Sequence, residues 1–243
     1  MPRGFRRREI DNALPVVVEG ETSEGGRKDV GMTHDARPNR ERAHPESHGV
    51  FRGDPAAIAD RPIEARWALR TGTRDLHDRA ERALGDRATR DGGYYVRMLQ
   101  ANLRITEATL RATRPHLPAW MTQGLKDDRA RLEADLASMG ADRPRKERFV
   151  HVPDRAAALG AAYVCEGARL GGRVLARFVR EEIGFTADFG ASYLNGEGAD
   201  TGRRWRAFVE ILNRELSAQG DIDRALCAAR SVFMLIIEDY EDF

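Results

Sequence analysis

YVCEGARLGG, Tyr163 to Gly172, places three glycines inside a segment whose flanks, DRAAALGAA before it and RVLARFVREE after it, consist of strong helix formers. A glycine in a helix interior costs about 1 kcal/mol relative to alanine. The flanks nonetheless predict one long helix over about 154–183, so something beyond local propensity must compensate at Gly167, Gly171 and Gly172. Spacing alone leaves three accounts open. Missing side chains let two helices approach closely. Paired small residues permit a bend. Or the bare backbone lies against a flat ligand.

Outward from that segment the pattern stays helical. Residues 62–84 put Ile63, Trp67, Leu69, Leu76, Ala80 and Leu84 near helical spacing, with Pro62 suited to a first turn. Residues 91–113 and 120–138 predict two further helices, and 202–217 and 221–241 the last two. No alternating strand pattern and no internal repeat interrupts them. The expected fold class is all-α, a single domain over 61–243 with short to moderate connections. Residues 1–60 are polar, rich in Gly and Pro, and without periodicity, which predicts a disordered tail. Met32 offers an alternative start within it.

Composition excludes several classes. Lys and Arg number 40 against 39 Asp and Glu, so no global basic field calls for nucleic acid. No apolar run approaches a membrane span, and the basic start lacks the apolar core of a signal peptide. Cys165 and Cys227 are far apart and form no CxxC, which argues against a disulfide framework or structural zinc and fits a reducing cytoplasm. Both fall on faces predicted to be apolar, where cysteine acts as a small hydrophobe. No Glu-x-x-His, HExxH, P-loop or GxSxG occurs, and GEGADTG follows no predicted strand.

Three of the six histidines, His34, His44 and His48, lie in the tail; His116 and His151 sit beside prolines in connections. His77 alone falls inside a predicted helix, with Arg70 and Arg74 before it and Glu81 four residues after. Those spacings bring all four near one face, about 10.5 Å separating Arg70 from His77 along two turns. A metal ligand flanked by cations for a large anionic cofactor is one reading; an ordinary solvated, charged face is the other.

LRTGTRDLHDRAE (69–81) followed some eighty residues later by AAYVCEGARLGG (161–172) resembles the paired signatures of the haem oxygenases, most closely the bacterial type associated with phytochrome chromophore synthesis. The resemblance spans about 62–241. It implies that His77 ligates haem iron, with Glu81 orienting the imidazole. Arg70 and Arg74 would face the propionates, and Gly167 and Gly171 would lie against the haem face as the catalytic distal segment. The implied reaction is O2-dependent opening of haem, both substrate and cofactor, to a biliverdin, CO and ferrous iron. The implied partners are an external electron donor (a ferredoxin, a reductase or ascorbate) and a bilin-accepting phytochrome, with no nucleic acid or membrane. One departure stands out: Ala168 occupies a place where some members carry an Asp that holds distal water.

Overall fold

The computed structural model describes residues 64–242, so the expected tail over 1–60, and Pro62 and Ile63 of the first expected helix, lie outside the described residues. Nine α-helices follow in order: α1 Ala65–Gly72, α2 Arg74–Leu84, α3 Arg87–Arg90, α4 Gly92–Thr113, α5 Ala119–Ser138, α6 Arg155–Ile183, α7 Ser192–Asn195, α8 Thr201–Glu215 and α9 Gln219–Glu241. Among the described residues there is no strand beyond isolated bridges at Thr186, and no helix is long and apolar enough to cross a membrane. The all-α expectation holds.

The expected single helix over 62–84 is two. The Thr73 hydroxyl donates to the Leu69 carbonyl at 2.8 Å, and Thr73 leaves helical geometry at φ −114°, ψ 1°. From α9, Arg230 donates to the Gly72 carbonyl at 2.5 Å and pairs with Asp75 at 2.8 Å, so the junction's exposed backbone is satisfied. Arg70 therefore belongs to a different helix from His77, and the straight two-turn spacing between them does not apply. Trp67, expected on the buried face, is 63% exposed.

The 29-residue α6 is fixed at both ends by local chemistry. Asp154 caps its start, accepting from the Ala157 amide at 2.9 Å, and Gly184 closes it in the left-handed region at φ 78°. Its two halves enter different apolar cores. Ala156 to Val164 pack with α1, α2, α8 and α9 around Leu69, Phe208 and Val232. Ala176 and Val179 pack with α4 and α5 around Tyr95, Leu103 and Leu132. Between Cys165 and Leu175 no apolar side chain is fully buried; the buried residues there are Glu166, Arg169 and Gly172. The glycine segment is thus the span between two cores, and Ile236 of α9 touches both.

Candidate functional site

The glycines of α6 have different neighbourhoods. A Cβ on Gly172 would lie 3.1 Å from the Leu194 carbonyl oxygen of α7, and one on Gly160 only 1.8 Å from the Ala225 carbonyl oxygen of α9. Close backbone packing accounts for both. A Cβ on Gly167 or Gly171 would meet no heavy atom within 4 Å. Packing does not explain those two. They lie four residues apart on one helix face, and that face opens onto space, a cradle into which side chains would project. This fits a flat ligand resting on the backbone.

On α2, His77 is half-buried. Its Nδ1 lies 3.5 Å from Glu81 Oε1 one turn on, and its ring meets Phe233 of α9 edge-on with centroids 6.0 Å apart. The Glu81 carboxylate faces Nδ1, so Nε2 is the ring nitrogen left for another partner. His77, Asp78 and Glu81 are also the one grouping of His, Cys, Asp and Glu, among the described residues, whose ligand atoms all lie within 4.8 Å of one another. The donor set suits an iron ligand. Helix α9 joins the two sides, carrying Phe233 against His77 and Ala225 against Gly160.

Arg70 and Arg74 make no ion pair among the described residues, whereas neighbouring Arg79 is bound to Glu241 at 2.8 Å. Arg70 is half-buried within electrostatic reach of Tyr163, the residue one turn before Gly167. Burial pushes the Tyr163 phenol up, and Arg70 and Arg66 draw it partly back. Tyr163 thus neighbours both Arg70 and the open glycine face. Its packing on Trp205, centroids 5.8 Å apart, has no signal in spacing. If Arg70 and Arg74 serve an anionic ligand, Arg70→Glu or Arg74→Glu alone should weaken hemin binding only a few-fold, since an exposed pair contributes under about 1 kcal/mol. The double variant should lose more. Hemin titration checks this, and unaltered affinity in the double variant would remove both cations from the site.

Opposite the open face, α6 is held by charge. Arg169 is buried; its Nε donates to Asp128 Oδ2 of α5 at 2.7 Å, and its Nη1 lies 2.5 Å from Glu166 Oε1. Glu166 also accepts from Arg204 of α8 at 3.0 and 3.1 Å. Burial pushes the Glu166 carboxyl up, but Arg169 and Arg204 more than offset this and hold it below its ordinary value. Burial raises Asp128 despite Arg169. A carboxyl whose folded value is depressed adds stability above its unfolded value and loses it as pH falls through the folded one. The Glu166 contribution should therefore be complete above about pH 4.5 and fade below it. Thermal melts should show Glu166→Gln less stable at neutral pH and flatter over that acid interval. Neither Asp128 nor Arg204 is conspicuous in sequence, because burial of a charged residue leaves no periodic mark.

The cysteines divide. Cys165 is largely buried and its thiol is pushed up to about 12 by burial, consistent with an inert group. Cys227 is exposed, against expectation, because it lies on the solvent side of α9.

The geometry is that of a helical protein with an open glycine face and a carboxylate-oriented histidine on an early helix. The sequence pattern of the family described as Heme oxygenase matches residues 118–242, just over half of the chain. The chain belongs to the heme oxygenase family. Its match takes in the glycine segment and begins after the helix that bears His77. No curated protein matches the chain significantly in sequence. Among solved structures, it is similar to the heme oxygenase of Neisseria meningitidis, solved with NO and CO bound, at 19% identity and a TM-score of 0.61, covering 73% of this chain and 92% of that one. It is also similar to the heme oxygenase of Leptospira interrogans, at 17% identity and a TM-score of 0.59, covering 74% of this chain and 100% of that one. At such identities these likenesses speak for the fold.

Proposed function

We propose that this protein binds haem between His77 and the glycine face of α6 and opens it, with O2 and electrons from an external donor, to a biliverdin, CO and ferrous iron. The observation that carries the reading is the contrast along α6: Gly160 and Gly172 are filled by neighbouring backbone, while Gly167 and Gly171 face open space. Bound haem supplies the iron at which O2 is activated. The chain supplies everything else. His77 would present Nε2 to the iron, its ring oriented by Glu81 at Nδ1. Arg70 and Arg74 receive the propionates, fixing which edge of the ring enters the cleft. Gly167 and Gly171, without side chains, would leave room for O2 beside the ring. The Asp128–Arg169–Glu166–Arg204 network would hold the glycine segment in place while haem is bound.

A second reading, haem binding without turnover, is favoured by a specific observation. Ala168 carries no polar atom, and Arg169 is turned into its ion pairs with Asp128 and Glu166, so neither residue holds a proton donor over the open face. Hemin titration into the purified protein separates the readings. A Soret band followed by biliverdin and CO on adding ascorbate or a ferredoxin with its reductase supports the enzyme. A stable complex without products supports the binder. No Soret band at all would leave a cofactor-free helical module.

A further inference from the structure

A cleft of about 530 Å³ opens between α4, α5 and the irregular segment 141–150, and nine Arg and Lys line it against two carboxylates, Glu107 and Glu147. Ion pairs hold its walls. Arg104 and Arg148 share Asp239 of α9, which is 1% exposed, and Arg143 bridges Glu107 and Glu133 at 2.5 and 2.6 Å. These anchor an otherwise irregular segment to three helices, α4, α5 and α9, so the cavity is shaped before any ligand arrives. Three exposed lining cations, Arg114, Lys126 and Arg145, have no partner among the described residues. They leave the cleft with positive charge that no described residue neutralises.

We infer that this cleft binds a small polyphosphate-type anion. The volume lies within the range of small-molecule sites, about 300–1,000 Å³. The nearby exposed Phe149 ring is covered on one face by Arg111, and the lining itself has Leu110 and Pro144 but no aromatic ring. What it offers is convergent cations, with guanidinium forks that match phosphate oxygens. The inference rests on none of the residues assigned to haem.

The test uses the full chain without hemin, titrated with sodium tripolyphosphate at low ionic strength in a calorimeter. Saturable binding at one site is expected, with affinity falling as salt is added. The triple variant Arg114→Glu, Lys126→Glu and Arg145→Glu should bind about ten- to a hundredfold more weakly. A charge-matched control, Arg203→Glu, Arg206→Glu and Arg214→Glu on the exposed side of α8, should bind as the wild type does. All six positions are exposed, so folding is not at stake, and hemin binding by the triple variant should be unchanged. Absence of binding to the wild type, or equal losses in the variant and the control, would overturn the inference. So would retention of a polyglutamate peptide through the same three residues without tripolyphosphate binding, which would identify a surface for an acidic protein instead.

Discussion

His77→Ala should abolish the histidine-ligated haem spectrum while leaving the helical circular dichroism of the apo protein unchanged. Removing a group that merely orients a metal ligand costs about 10–100-fold in metal affinity. Loss of the ligand itself should exceed that range, and Glu81→Gln should fall within it. His77 is about one-third exposed, so the truncation leaves a small cavity and costs little stability. Added imidazole should restore part of the spectrum in the variant. A Soret position and hemin affinity equal to those of the wild type would move the ligand elsewhere, first to His116 and then to His151.

Gly171→Leu should block biliverdin formation, because its side chain would project into the space reserved for the ring or for O2. The apo protein should meanwhile melt at the same temperature or slightly higher. The site is open, so nothing is overpacked, and replacing glycine within a helix contributes up to about 1 kcal/mol. The result would be stability gained against function lost. Gly160→Ala is the matched contrast. Its added Cβ would sit 1.8 Å from the Ala225 carbonyl oxygen, so α6 and α9 must separate, at a cost of about 1–3 kcal/mol or more. Melting both apo variants and assaying product from Gly171→Leu decides between the roles. A Gly171→Leu protein that is destabilised without hemin yet turns haem over normally would show that the open face serves no ligand.

The extents of the long helices were legible in the sequence, because apolar residues recur at helical spacing along α4, α6 and α9 and the ends of α4 and α6 carry Asp91, Asp154 and Gly184; the four-residue helices α3 and α7 were not. The break at Thr73 was not, since it depends on Arg230, 157 residues away in sequence, reaching the junction from α9. The exposure of Trp67 and Cys227 was missed for a related reason: periodicity says which residues share a face, not which face finds a partner. Within the candidate site, His77, Glu81 and the glycines could be picked out by motif. That Gly172 belongs to packing while Gly171 does not is a fact about Leu194, on another helix. The ionic support of the segment was hidden altogether. Asp128 lies in a charge-rich run, KDDRARLEAD, where one carboxylate that turns inward reads like its solvated neighbours.

The placement of residues 165–175 between two apolar cores has a kinetic side. Each core can hold its own half of α6 while the middle, secured mainly by ion pairs, opens and closes alone. Amide hydrogen exchange along α6 should then show protection high over 156–164, lower across the glycines, and high again near 176–179, the profile of a cooperative unit nested inside a more stable frame. If the protein turns haem over as proposed, such a segment would be expected to lift for release of a bulky product without unfolding either end of the helix, on the slower timescale of local opening. The rate at which this short span breathes would then set an upper limit on turnover, and that rate would fall as its ionic struts are strengthened.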